Sequence, residues 1–176
     1  ALVERRPVLL MSQAGFGWRQ MDQIEKMLND RDGQDLTGDE TAPDQGRDAS
    51  QEEIHHLIVT AGWKHFLPKV FSDDLFVESL LSKAWQSAEK KSLYEYGDPT
   101  CDPTCKIVEF LYLSTAAYLG SFVDVAHDEL RVKTESDLRK RLPEVVAIME
   151  SSAYNYPRTM WPDGNYRASG NIVFTD

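Results

Sequence analysis

The sequence predicts a mainly α-helical protein: a bundle around one central apolar helix, with extended termini and at most a minor β pairing. Two features carry that expectation. Ile107, Val108, Phe110, Leu111, Leu113, Ala116, Ala117, Tyr118, Leu119, Phe122, Val123, Val125 and Ala126 form a segment that is apolar nearly all round. Such a segment needs neighbouring helices on most of its sides. Elsewhere, apolar residues recur at three- and four-residue spacing behind Ser, Thr or Asp-Pro start signals, the pattern of capped amphipathic helices. A chain of 176 residues suits one domain spanning 1–176, long enough to bury a core of its own.

Taken in order, the apolar residues 7–11 read as an edge strand beginning at Pro7. A first helix follows over about 12–29, with Met21, Ile24 and Leu28 on one face. Residues 30–50 hold seven acids against two arginines, half of the chain's net charge of −10, and predict a solvated, mobile acidic loop. Ser50 and Glu53 match a capping box opening a second helix. Its inward face is expected to be Ile54, Leu57, Ile58 and Ala61, and Pro68 bounds it. Ser72 reads as the cap of a third helix, with Leu75, Phe76, Leu80, Leu81, Ala84, Trp85 and Ala88 facing the core.

A tandem tetrapeptide, Asp98-Pro99-Thr100-Cys101 and Asp102-Pro103-Thr104-Cys105, precedes the central helix. Asp102 and Pro103 form an N-cap and N1 pair, and the helix is expected to run from Pro103 to about Arg131. Thr134 caps a further helical segment, and Pro143 starts the last one, ending near Ser152. Residues 153–176 read as an extended aromatic tail, with 172–174 a candidate strand against 8–10.

The charge of −10 repels phosphate backbones, so nucleic acid is not an expected partner. Glu109 and Asp124 interrupt the most apolar stretch, which argues for a buried helix and against membrane insertion. Residues 1–11 carry Glu4, Arg5, Arg6 and Pro7 and do not read as a secretory signal. A soluble protein of the cytoplasm or an organelle interior is the expectation.

Cys101 and Cys105 are spaced for inert thiols, a local disulfide or redox or metal chemistry. The segment Asp30 to Glu40 resembles an EF-hand loop through Asp30, Asp32, Leu36 and Glu40. The resemblance implies calcium ligation by Asp30, Asp32 and Glu40. The segment is one residue short, however, and carries Asp35 where the turn glycine belongs. His127 and Asp128, with His55 or His56 and Asp137, are similar to the ligand pattern of the HD-type metallophosphohydrolases, which implies a metal-polarised water attacking a phosphate ester. Glu52 and His56, at i and i+4, share a helix face and offer two metal ligands that need a third and fourth from elsewhere.

No nucleophile elbow, P-loop or dinucleotide fingerprint occurs, so neither a catalytic residue nor a cofactor is assigned. Tyr156, Arg158, Trp161 and Tyr166 make the tail a candidate partner-binding surface. Together these features predict a non-enzymatic interaction module, an accessory subunit or an immunity-type inhibitor, whose partner has a basic surface. A metal-dependent phosphohydrolase and a calcium-binding protein are the alternatives.

Overall fold

The computed structural model describes residues 2–29, 31–41 and 48–158. A one-turn helix α1 (Leu2–Arg5) leads into β1 (Val8–Ser12), α2 (Trp18–Leu28) and β2 (Gly33–Thr37). The two strands pair in parallel, Val8 opposite Gly33 through Ser12 opposite Thr37. Parallel strands need a crossover connection, and α2 supplies it. Strand β2 lies within the segment expected to be a mobile acidic loop. Its one buried apolar side chain, Leu36, docks the strand, and its polar neighbours hid it from periodicity. The candidate strand 172–174 lies outside the described residues, and β1 takes β2 as its partner.

Helix α3 (Ser50–Ile58) continues directly into a π-helical segment over Val59–Lys64, followed by the single turn α4 (Pro68–Phe71). The helix begins one residue earlier than its capping box implies. Ser50 is helical, and its amide donates to the Asp48 carboxylate at 2.9 Å. Ser72 does not cap a helix. It ties a loop whose far end, Ser79, is the cap of α5 (Leu80–Lys90). The Ser82 amide donates to Ser79 Oγ at 2.9 Å, the Ser79 amide donates to Ser82 Oγ at 3.0 Å, and Ser79 Oγ donates to the Ser72 carbonyl at 2.6 Å. Leu81, Ala84, Trp85 and Ala88 face inward as the periodicity requires, but Leu75 and Phe76 stand out in solvent on the loop.

Helix α6 (Pro103–Leu119) is the centre of the fold and is buried from Ile107 to Ala117. Asp102 caps it, accepting from the amides of Thr104 and Cys105 at 2.9 Å each. It stops well short of Arg131, because Gly120 adopts a left-handed conformation (φ 80°) and closes the last turn. Thr134 caps α7 (Glu135–Arg141), and Pro143 opens α8 (Pro143–Glu150). Helix α6 packs against α3, α5 and α7, while α8 bridges α5 and α7. Phe71, Leu81, Phe110, Leu111, Leu138, Leu142 and Met149 form the core between them. No described helix is long and apolar enough to cross a membrane. A disulfide joins Cys101, just ahead of the α6 cap, to Cys105 in its first turn.

Candidate functional site

Helix α3 does not turn its apolar face to α6. Ile54, expected inward, is exposed, while Glu52 and His56 are 8 % and 4 % exposed. From the facing side α6 contributes Glu109, also 8 % exposed. Glu52 and His56 share a face because one helical turn separates them. Glu109 enters because the α3–α6 contact falls at the first buried turns of α6. Among the described residues, Glu52, His56 and Glu109 are the group of three able to hold a metal ion, with one donor atom from each within 4.8 Å of the others.

His56 lies between two carboxylates. Its Nε2 is 3.5 Å from Glu109 Oε2, and its Nδ1 is 3.8 Å from Glu53 Oε2. None of His56 Nε2, Glu109 Oε2 and Glu53 Oε2 has a hydrogen-bond partner, although all three atoms are buried. Burial alone would depress the His56 pKa. The Glu109 and Glu53 carboxylates overcome it and raise the pKa to about 9. Glu52, Glu53 and Glu109 thus place three carboxylates around one imidazole between the helices. Buried charge is costly unless it is paired or coordinates a metal.

Behind this cluster stands His55, whose pKa is pushed down to about 3 by burial and by His56. Its Nε2 lies 2.7 Å from the Tyr156 hydroxyl, which lies 2.7 Å from Thr115 Oγ1. Thr115 Oγ1 spends its one proton on the Leu111 carbonyl. It therefore accepts from Tyr156, Tyr156 accepts from His55, and His55 carries its proton on Nε2. Tyr112 packs edge-on to both histidines and donates to Asp124 at 2.6 Å.

No protein-family model matches the chain, and no curated protein or solved structure matches it.

Above the cluster lies an open cleft of about 330 Å³, lined by Asp39, Glu40, Ala49, Glu52, Glu53, Tyr96 and His127. His127 thus reaches the mouth of the site from the loop after α6, while Asp128 and Asp137 are exposed and not among its lining residues. Asp32 and Glu40 flank β2: Asp32 pairs with Arg5 at 3.0 Å, and Glu40 Oε2 accepts from the Thr37 amide at 2.6 Å. The five-residue strand β2, which spans roughly 16 Å, lies between the two acids. Asp30 lies outside the described residues. So do Trp161 and Tyr166. Arg158 is exposed, but Tyr156 is buried against Phe71 and Trp63 and clamps its segment to the core instead of facing outward. Glu52 and His56 are legible in the sequence as a pair on one helix face. Glu109 escaped it because one acid in an apolar helix carries no spacing signal.

Proposed function

We propose that this domain binds one divalent transition-metal ion between α3 and α6, with Glu52, Glu109 and His56 Nε2 as ligands. Glu53, on the Nδ1 side of the same ring, is the outer carboxylate that orients a metal-bound imidazole. One observation carries the reading: unlike donors from two helices converge where burial leaves His56 Nε2 and Glu109 Oε2 without hydrogen bonds. The spacing suits it. Two ligands of a tetrahedral ion at about 2.1 Å stand about 3.4 Å apart, and His56 Nε2 and Glu109 Oε2 are 3.5 Å apart. Three protein ligands leave a position for water on the cleft side. An ion so placed supports hydrolysis by lowering the pKa of that water. The π-helical segment that continues α3, from Val59 to Lys64, is of the kind frequent at functional sites.

Calorimetric titration of chelator-treated protein with Zn²⁺ tests the proposal. One ion per chain is expected, with binding lost in Glu109→Gln and His56→Ala and kept in Asp137→Asn. Equal affinity in all four proteins rejects it.

A second reading, an interaction module, has an observation of its own. Phe76 is 99 % exposed, with Leu75, Val77 and Leu80 beside it. The loop is held by hydrogen bonds from the Asp74 amide to Ser72 Oγ and from the Phe76 amide to Asp74 Oδ1. A pre-organised apolar tip beside Asp74 and Glu78 suits a partner pocket with a basic rim.

A further inference from the structure

Resting on the metal-site reading, we infer that the open side of the ion takes an organic cation, an ammonium-bearing ligand with a carbonyl donor, and not a phosphate ester. The cleft carries the argument. Asp39 and Glu40 come from the short turn after β2, and Glu52 and Glu53 form the floor from α3. Tyr96 supplies one wall, its ring stacked on Tyr94 with centroids 6.4 Å apart. Among these lining residues, His127 alone can carry positive charge.

A second observation makes this more than an acidic patch. His56 Nε2 and Glu109 Oε2 are buried atoms able to ligate a metal, both without hydrogen-bond partners, and they are grouped with Glu52, which itself lines the cleft. The electrostatics then select the ligand. Asp39, Glu40, Glu52, Glu53 and Glu109 against a doubly charged ion still leave three formal negative charges. A phosphate dianion entering that field meets repulsion from the Asp39, Glu40, Glu52 and Glu53 carboxylates, with His127 the one lining group able to attract it. An ammonium group meets two exposed carboxylates and the face of an aromatic ring, the arrangement that recognises organic cations. A carbonyl on the same molecule would be held by Glu52, His56 and Glu109 through the bound ion, which would supply Lewis-acid polarisation there.

Mn²⁺ serves as both ion and reporter in the test. The relaxation rate of bulk water in the presence of Mn²⁺-loaded protein shows whether an ion with an exchangeable water is bound at all. Paramagnetic broadening of proton lines from L-lysinamide, and of the phosphorus line from inorganic phosphate, then shows which molecule approaches the ion.

The expected result is broadening of lysinamide that weakens with added salt, with none of phosphate beyond that caused by free Mn²⁺. In Asp39→Asn/Glu40→Gln at saturating Mn²⁺, lysinamide binding should fall about five- to tenfold, the worth of two partly exposed ion pairs. Absent water relaxation enhancement defeats the metal reading itself, and this inference with it. Enhanced relaxation with phosphate broadened more than lysinamide, or with lysinamide indifferent to the double substitution, overturns the ligand class alone.

Discussion

Nε2 of His56 lies 3.5 Å from Oε2 of Glu109, on a helix that meets α3 only through the fold, and the opposite nitrogen of the ring faces Glu53 at 3.8 Å. One imidazole thus stands between a candidate ligand and a candidate orienting carboxylate. That arrangement of one imidazole among carboxylates has measurable consequences.

Removing a carboxylate should separate stability from binding. In the metal-free protein, Glu52→Gln removes one of three clustered acids and keeps a polar side chain of the same size, so unfolding free energy should change by no more than about 1 kcal/mol. With Zn²⁺ at a hundred times its dissociation constant, the wild type should gain about 2.7 kcal/mol, a melting shift of roughly 5–10 °C. The Gln variant should gain little. Calorimetric melting with and without Zn²⁺ reads both effects, and an equal shift in the two proteins refutes the ligand assignment.

The two adjacent histidines should bend the pH dependence of metal-free stability in opposite directions. The pKa of His55 falls from 6.5 unfolded to about 3 folded. Its contribution is complete above pH 6.5 and is lost as pH drops toward 3, because the unfolded chain takes up the proton. The pKa of His56 rises from 6.5 to about 9. Its contribution is complete below pH 6.5 and is lost as pH climbs through 9. These two groups therefore place the maximum near pH 6.5, with a loss of order 3 kcal/mol by pH 9 from His56. Urea titrations in chelator at pH 5, 6.5 and 9 measure it. Stability rising steadily from 6.5 to 9 contradicts the burial of His56 between two carboxylates.

The donor chain from His55 through Tyr156 to Thr115 should behave as a unit. Tyr156→Phe leaves His55 Nε2–H without its acceptor and should cost about 1–3 kcal/mol. Thr115→Val removes the next acceptor. The double variant should cost less than the sum of the singles, since members of one network are not additive. Strict additivity in a double-mutant cycle shows that the three groups do not share a chain.

Reduction of the Cys101–Cys105 disulfide should matter modestly. It closes five residues at the start of α6, and loop-closure entropy for so short a ring limits its worth to about 2 kcal/mol. Asp102 still caps the helix through the amides of Thr104 and Cys105. Urea unfolding of Cys101→Ser/Cys105→Ser against wild type checks this, and loss of folding in the variant rejects it.

Helix α6 was legible in the sequence because two strong signals agreed, an Asp-Pro start and a run apolar on every side. Its end was not, since Phe122, Val123 and Val125 continue the apolar run past Gly120, and only the positive φ of that glycine marks the stop. On the second helix, periodicity pointed to Ile54, Leu57, Ile58 and Ala61; Ala61 is buried and Leu57 and Ile58 half-buried, but Ile54 is exposed and the fold buries Glu52 and His56 as well. Apolar spacing finds the core face only where the core is apolar. Strand β2 offered one buried side chain, Leu36, too few for an alternating pattern. Glu109 became visible only when α3 and α6 came together, so the site belongs to tertiary structure more than to any motif.

X-ray absorption at the zinc edge of the Zn²⁺-loaded protein tests the central claim most directly. The expected spectrum shows one imidazole and two or more oxygen donors at about 2.0–2.2 Å, with no sulfur. A first shell containing sulfur, or one with no imidazole, places the ion elsewhere and contradicts a centre built from Glu52, His56 and Glu109.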